Sequence, residues 1–247
     1  MTITYHNDLI QGSDEWHAAR CGLLTASEMR LLVNIPAEET RIKKDGTPYK
    51  QRGMTPADND KTRSHIWEIL AQRITSYVEP QYVGDDMLRG HRDEILARDL
   101  YSQHYAQVTE AGFITNDRWG FTLGYSPDGL VGDDGLIECK SRAQKFQIQT
   151  IAENEVPAEY MLQLQTGLLV TGRAWVDFIS YSGGLPMFVK RVLPDLEIQG
   201  AIIDAATAFE LTLADKMLFY NAGLLEMPVV IETERHVDPG AIDDGEY

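Results

Sequence analysis

Apolar residues recur at helical spacing in the N-terminal part of the chain. The stretch QGSDEWHAARCGLLTASEMRLLV predicts two short helices. Ser13 is positioned to cap the first helix and Gly22 to close it, whereas Thr25 or Ser27 is positioned to cap the second. The segments RSHIWEILAQRITSYV and MLRGHRDEILARDLYSQHYA follow the same apolar spacing. They predict two core-facing helices between residues 63 and 106.

From Val108 the apolar period changes to two, which is the period of a half-buried β-strand. The segments VTEAGFITN, WGFTLGYS and GLIECKS alternate in this way, with turn residues at Asn116-Asp117 and at 132–135 between them. This pattern predicts an antiparallel meander of about three strands. The segments AWVDFISYS and MFVKRVLP predict two more strands.

Two more helical segments adjoin the last predicted strands. AEYMLQLQTGLLVTG predicts a helix that ends near Gly172, and DLEIQGAIIDAATAFELTLADKMLFYNAG predicts a long final helix closed by Gly223. The whole pattern is typical of an α/β fold in which helices flank one mixed sheet. We therefore expect a single domain over residues 1–247, with a long polar surface loop at 36–63 and an acidic tail at 232–247.

The composition is that of a globular protein, because 43% of the residues are apolar. No apolar run reaches the length of about 18 residues needed to span a bilayer, and the N-terminus lacks the features of a signal peptide. Cys21 and Cys139 are the only cysteines, too few for a disulfide framework. We expect a soluble, cytoplasmic protein with no membrane contact.

The formal net charge of -16 argues against a nucleic-acid partner if the charge is spread evenly. The charges are not spread evenly, however. Acids concentrate in ENEVPAE and in the tail, whereas bases cluster in RIKKDGTPYKQR and RGHRDEILAR. A basic patch on an acidic body therefore stays compatible with the sequence.

The segment GYSPDGLVGDDGLIECKSRAQ contains an acid and a base on one strand. Glu138 and Lys140 project to the same face, whereas Ile137 and Cys139 face the other way into the core. The turn at 132–135 folds the preceding strand back, so we expect Asp128 to lie near Glu138. Two carboxylates and an ammonium group would then converge.

Oxygen ligands of this kind suit Mg²⁺ or Mn²⁺, which bind a couple of carboxylates, a main-chain carbonyl and several waters. A lysine beside such a metal orients or deprotonates the attacking water, as in metal-assisted phosphodiester hydrolysis. An acid and a lysine two positions apart also occur as a solvated pair on an edge strand. The apolar residues around GLIECK favour the functional interpretation, because buried charges are costly.

Four motifs occur in the order found in one nuclease family. PDG…GLIECK resembles the Asp…Glu-x-Lys core of the restriction-endonuclease-like nucleases. QGSDEWHAARCGLLTASE, RGHRDE and YMLQLQTGLLVTG are similar to the Trp…Arg…Gly…Thr-Ala-Ser, Gly-x-x-x-Glu and Gln-x-Gln motifs of the phage lambda exonuclease and YqaJ-type viral recombinase branch. The motifs lie between residues 11 and about 172, and the C-terminal third and the loop at 36–63 carry no matching motif.

The resemblance implies roles for individual residues. It implies that the metal is bound by Asp128, Glu138 and the main-chain carbonyl of Cys139, that Glu94 approaches the same cluster, and that Lys140 and Gln163 position the attacking water. Glu94 on an amphipathic helix is otherwise typical of a solvated face, and Gln163 is able to cap a backbone group.

The resemblance also implies that Arg20 and Ser27 hold a terminal 5′ phosphate. Arg20 could instead pair with Asp14 or Glu15 on its own helix. Ser27 is an ordinary helix N-cap, a role compatible with phosphate binding because a helix N-terminus presents free N–H groups to an anion. Trp16 is expected in the core.

The family implies a Mg²⁺-dependent 5′-to-3′ exonuclease acting on the ends of double-stranded DNA, with a restriction-endonuclease-like fold. It further implies a ring-shaped homotrimer, a phage or prophage origin in a bacterial host, and a single-strand annealing partner. A ring would let a basic loop guide DNA inside an acidic exterior, with Lys43, Lys44, Lys50 and Arg52 as candidates. An endonuclease or nickase on the same core, or a non-catalytic DNA-end-binding module, are the alternatives.

Overall fold

The structure is a computed structural model that describes residues 2–35, 41–42, 48–49, 53–80 and 84–235. Its helices are α1 (Asp14–Arg20), a 3₁₀ helix (Ala26–Leu31), α2 (Asp60–Thr75), α3 (Asp85–His104), α4 (Gln144–Glu153), α5 (Ala158–Thr171) and α6 (Leu196–Glu226). Its strands are β1 (Ile3–His6), β2 (Leu24–Thr25), β3 (Val33–Asn34), β4 (Arg41–Ile42), β5 (Pro48–Tyr49), β6 (Thr55–Pro56), β7 (Val108–Thr109), β8 (Phe113–Asn116), β9 (Leu123–Tyr125), β10 (Gly129–Val131), β11 (Gly135–Ser141), β12 (Trp175–Tyr181) and β13 (Phe188–Val192).

The main sheet has five strands in the order β13-β12-β11-β10-β7. Strands β11 and β12 are parallel, and the other neighbours are antiparallel. A parallel pair needs a crossover connection, which α4 and α5 provide here. The predicted α/β fold with a mixed sheet and flanking helices is confirmed, but the prediction of a single sheet is wrong, because the described residues also form a second large sheet.

A second sheet holds four strands in the order β1-β8-β9-β2. The predicted three-stranded meander is therefore wrong: β8 and β9 form one hairpin, and β10 and β11 form another in the main sheet. The chain changes sheets at Ser126-Pro127-Asp128, where Pro127 lacks the N–H group that a continuing ladder would require. Alternation reports which face a residue occupies but not which strand it pairs with.

The helix ends follow local chemistry. The Ser13 side chain accepts a hydrogen bond from the Trp16 N–H, as predicted for the cap of α1. Thr25 caps the 3₁₀ helix in a capping box with Glu28. Gly172 ends α5 in the left-handed conformation, with φ 67°. Gly223 does not end α6, because it keeps negative φ and the helix continues to Glu226.

The predicted loop at 36–63 is too long at its C-terminal end. β6 pairs antiparallel with β3, and the Asn59 side chain caps α2 by accepting from the N–H groups of Lys61 and Thr62. The cap lies inside a polar run, which conceals the start of the helix in the hydropathy pattern. β4 and β5 also pair antiparallel, and residues 36–40, 43–47 and 50–52 lie outside the described residues.

Both faces of β11 are covered. On one face Leu136 and β12 pack against α5 and α6, in the larger hydrophobic cluster. On the other face Ile137 and Cys139 pack with Ala97 and Tyr101 of α3, in a smaller cluster. The predicted burial of Ile137 and Cys139 is confirmed, and β11 becomes a central, enclosed strand. Over the described ranges, no helix combines the length and apolarity needed to cross a membrane.

Candidate active site

The β10–β11 hairpin brings the first carboxylate to the second. Gly129 pairs with Ile137 in the hairpin, which places Asp128 beside the Glu138-Cys139 peptide. The Cys139 N–H donates to Asp128 Oδ2 at 2.5 Å. Gly129 lets Val108 of β7 pack against β10, because a Cβ there would lie 2.1 Å from Val108 Cγ1. The predicted proximity of Asp128 and Glu138 is thus present in the structure.

Glu138 lies at the centre of a hydrogen-bond cluster. Its side chain is only 2% exposed. Oε1 accepts from Lys140 Nζ at 2.7 Å and from Gln163 Nε2 at 2.5 Å, and Oε2 accepts from the Tyr125 hydroxyl at 2.7 Å. Lys140 therefore shares the face of Glu138, as the strand pattern predicts, and α5 brings Gln163 to the same carboxylate.

The cluster concentrates negative charge. Burial raises the pKa of Asp128 well above its ordinary value, Glu138 raises it further, and Lys140 offsets part of the increase. Burial likewise raises the pKa of Glu94 on α3; Lys140 lowers it in part and Glu138 raises it again. Glu94 is therefore partly buried and interacts electrostatically with the cluster.

Lys140 is the cation of this cluster. Burial acts to lower the pKa of its ammonium group, but the attraction of Glu138, Asp128 and Glu94 outweighs burial, so the pKa is raised. Lys140 therefore stays protonated and donates to Glu138. Tyr125 also keeps its proton, because burial first and the Glu138 charge second raise the pKa of its phenol well above the ordinary value.

The carboxylate oxygens of this cluster are the type of ligand that a hard divalent cation prefers. Among the described residues no three His, Cys, Asp or Glu side chains form a group that could hold a metal ion. Asp128 and Glu138 supply two carboxylates. This number is sufficient for Mg²⁺, which is commonly bound by only one or two protein carboxylates, with other oxygens and waters completing its shell. Bound positive charge would relieve the repulsion that raises the pKa of Asp128. Burial also raises the pKa of the Cys139 thiol, so only the Cys139 carbonyl is a suitable ligand.

A second cluster surrounds Arg20. Its Nη1 donates to Ser126 Oγ and its Nη2 to Thr25 Oγ1, both at 3.2 Å, and the guanidinium lies 4.2 Å from the centre of the Trp16 ring. Thr25 Oγ1 is in turn 3.2 Å from Ser27 Oγ. Arg20 and Ser27, predicted as a pair, thus lie together through Thr25.

The surroundings of Arg20 test two further expectations: pairing of Arg20 with Asp14 or Glu15, and a core position for Trp16. In the described part of the chain it makes no ion pair with Asp14 or Glu15, although Glu28 lies close enough to act on it electrostatically. Burial lowers the pKa of its guanidinium. Trp16, expected in the core, is only half-buried; its Nε1 donates to Ser126 Oγ at 3.0 Å, and its ring supports Arg20.

A row of cations and aromatic rings begins at Lys140. Lys140 Nζ lies 5.8 Å from the Tyr160 ring centre, and Arg142 lies 5.2 Å from Tyr160 and 5.1 Å from Phe146. Lys145 Nζ is 4.7 Å from the same Phe146 ring. Lys145 and Phe146 are exposed, whereas the Arg142 side chain is only 10% exposed and its Nη1 donates to Glu159 Oε1 and to the Tyr160 hydroxyl. The predicted loop cations Lys43, Lys44, Lys50 and Arg52 lie outside the described residues.

Sequence reasoning missed three groups that the structure adds to the two clusters. Tyr125 and Ser126 lie three and two residues before Asp128, and Thr25 precedes the 3₁₀ helix. Tyr125 resembles an ordinary core aromatic in an alternating strand. Its hydroxyl acquires a partner only because β9 ends against β11, which the sequence pattern does not reveal.

The mixed sheet, with Asp128 and Glu138-x-Lys140 on its central hairpin and helices on both faces, defines a restriction-endonuclease-like nuclease core. Residues 15–174 match the model of the YqaJ-like viral recombinase domain, and the chain belongs to that family. No relative was found among curated protein sequences.

Solved structures of two exonucleases are similar over most of the chain. An alkaline exonuclease from Laribacter hongkongensis is 30% identical, with a TM-score of 0.70 over 86% of this chain and 98% of its own. That enzyme has also been solved in complex with dAMP, with the same similarity values. A phage-related exonuclease from Haemophilus somnus 129PT is 12% identical, with a TM-score of 0.52 over 81% of this chain and 96% of its own. The second likeness concerns the fold alone.

Proposed function

We propose that the protein is a Mg²⁺-dependent 5′-to-3′ exonuclease that degrades one strand of linear double-stranded DNA from its ends. Family membership and the similarity to an alkaline exonuclease support a nuclease of the phage recombination type. The metal dependence and the 5′-to-3′ direction are proposed from one observation: Ser126 and Asp128 connect the cluster around Arg20 to the carboxylate cluster around Glu138. Ser126 bonds to Arg20, and Asp128, two residues further on, meets the Cys139 N–H beside Glu138.

The side chains divide the work between binding and chemistry. A divalent ion held by Asp128, Glu138 and the Cys139 carbonyl would polarise the phosphodiester and make water a better nucleophile. Lys140 and Gln163 both contact Glu138 Oε1, so each is within reach of a water beside that carboxylate. Mn²⁺ should substitute for Mg²⁺, because both accept oxygen ligands.

Arg20 and Ser27 are the groups that would select the end of the strand. A terminal phosphate carries more negative charge than an internal diester and offers more acceptor oxygens. The partly buried Arg20 fork and the exposed Ser27 hydroxyl present donors to such a group. The cation and aromatic row from Lys140 to Lys145 would hold the strand beside the scissile bond through phosphate contacts and stacking.

The proposal includes a homotrimer and a single-strand annealing partner. Self-association is supported by large apolar side chains exposed on the last turns of α6 and just beyond it, namely Leu218, Phe219, Leu225, Val229, Val230 and Ile231. The number of three subunits and the annealing partner come from the family resemblance. Light scattering should give about three times the chain mass. This mass should persist on dilution, since a stable contact buries on the order of 1,000 Å² or more.

One assay separates the candidate functions. End-labelled linear duplex and closed circular duplex are incubated with the protein, with and without Mg²⁺. An exonuclease releases mononucleotides from the linear substrate alone and only with Mg²⁺. Cutting of the circle would favour an endonuclease or nickase, and binding without cleavage of either substrate would favour a non-catalytic DNA-end-binding module.

A further inference from the structure

Tyr125 reaches the carboxylate cluster from the other sheet. It is the last residue of β9, it is 1% exposed, and its hydroxyl donates to Glu138 Oε2 at 2.7 Å. Glu138 belongs to β11 of the main sheet. The bond therefore connects the two sheets at the point where the carboxylates meet.

The ring of Tyr125 is fixed by close packing. A Cβ on Gly167 of α5 would lie 2.7 Å from Tyr125 Cζ, so the helix backbone lies directly against the ring. A ring packed this tightly has no room to change its direction. The hydroxyl is thereby held at one position relative to Glu138.

The three donors around Glu138 divide its two oxygens. Lys140 and Gln163 bond to Oε1, which leaves Oε2 to Tyr125. Within the described residues no other hydrogen bond to Oε2 is present. Removing the phenol oxygen would leave this oxygen without a donor and leave the carboxylate plane fixed from one side only.

We infer that Tyr125 is a positioning residue that fixes the Glu138 carboxylate for binding of a divalent cation. The inference depends on the metal site of the proposed function. Groups that orient a metal ligand commonly change metal affinity or activity by about 10- to 100-fold when they are removed. Tyr125 acts on Glu138 and has no role in contact with the substrate.

Tyr101 supplies a matched control in the same molecule. It is also 1% exposed, and its hydroxyl donates to a buried carboxylate, Asp177 Oδ2, at the same distance of 2.7 Å. Asp177 is held as well by Arg191, on the α3 face of the sheet and away from Glu138. Tyr101→Phe and Tyr125→Phe therefore remove the same atom from similar surroundings.

The test is titration of DNA-free protein with Mn²⁺ by calorimetry, on wild type, Tyr125→Phe, Tyr101→Phe and Asp128→Asn. We expect Tyr125→Phe to raise the Mn²⁺ dissociation constant about tenfold or more, and Tyr101→Phe to leave it within about twofold of wild type. If Tyr125→Phe is too unstable for calorimetry, the rise of its unfolding temperature with Mn²⁺ concentration yields the same constant.

The outcomes separate the inference from the proposed function. If wild type binds Mn²⁺, Asp128→Asn does not, and Tyr125→Phe binds as wild type does, the metal site stands and the positioning role is overturned. Equal weakening in Tyr101→Phe and Tyr125→Phe also overturns it, because the effect would then be one of general stability. If wild type does not bind Mn²⁺, or if Asp128→Asn binds it as tightly as wild type does, both the metal site and the inference are overturned.

Discussion

Replacing Arg20 by Ala should remove most of the preference for a 5′-phosphorylated end. Arg20 is the cation of its cluster. Thr25, Ser27 and Ser126 contribute neutral hydroxyls, and Glu28, which accepts from Thr25 Oγ1, contributes a carboxylate. Its guanidinium is aligned by two hydrogen bonds and by the Trp16 ring, so little side-chain entropy is lost when a phosphate binds. The variant deletes the charge and leaves the hydroxyls in place.

The magnitude follows from the loss of one charge-assisted contact. Such a contact contributes about 1.5–3 kcal/mol, which corresponds to roughly a 10- to 150-fold difference in rate at limiting substrate. Partial burial of Arg20 reduces screening by water, which favours the upper part of this range. We therefore expect wild type to digest 5′-phosphorylated duplex at least about tenfold faster than 5′-hydroxyl duplex.

The assay compares initial rates on the two substrates for wild type, Arg20→Ala and Arg118→Ala. Arg118 is an exposed arginine that stacks on Trp119 at 4.5 Å, in the turn at the other end of the β8–β9 hairpin from Tyr125. Its loss should leave the preference intact. Equal rates on both substrates in wild type, or an unchanged preference in Arg20→Ala, would refute the phosphate pocket and the 5′-to-3′ direction that depends on it.

Three further expectations follow from the charges at the site. Asp128→Asn should abolish cleavage yet stabilise the metal-free protein: the pKa of Asp128 is raised in the folded state, so its ionisation costs stability as the pH rises above the ordinary value of about 3.9. Thermal unfolding in chelator should show this advantage growing with pH, and a variant less stable than wild type at neutral pH would contradict it. Lys145→Ala should weaken duplex binding and reduce the salt slope by about one, whereas Phe146→Ala should weaken binding with the slope unchanged. Fluorescence anisotropy over a salt series is the check, and equal slopes in both variants would count against phosphate contact by Lys145. Ca²⁺ should support DNA binding with little cleavage, because its looser coordination holds the reacting groups less rigidly, and cleavage as fast as with Mg²⁺ would argue against that coordination.

The sequence alone predicts those features of the site that depend on a single strand or helix. Side chains alternate on any strand, so the opposite orientations of Glu138 and Cys139 could be predicted without knowing the neighbours of β11. Gln163 and Gly172 lie on a helix with a clear apolar pattern and a glycine end. The sequence pattern does not predict α4, and Gln147 explains why. This residue fills a core position and donates to the carbonyl oxygens of Ser180 and Pro186, so the helix lacks a continuous apolar face.

Pairing between distant segments could not be predicted in the same way. The alternation in 108–141 is equally compatible with one meander and with two hairpins in different sheets, and only tertiary packing distinguishes them. The same ambiguity conceals Tyr125 and Thr25. Each looks like a local residue, a core aromatic or a helix cap, until the second sheet brings it to Glu138 or Arg20.

The segment Tyr125-Ser126-Pro127-Asp128 connects the two clusters of the site. Tyr125 bonds to Glu138, Ser126 to Arg20, and Asp128 to the Cys139 N–H, so three successive contacts come from one short connection between the sheets. Covalent geometry limits the separation of the Ser126 and Asp128 Cα atoms to about 7 Å, and Pro127 removes one backbone rotation between them. The chain itself therefore limits how far the proposed phosphate site at Arg20 can lie from the carboxylates. Because the two clusters cannot move apart independently, end recognition and hydrolysis would stay in fixed register as the strand advances.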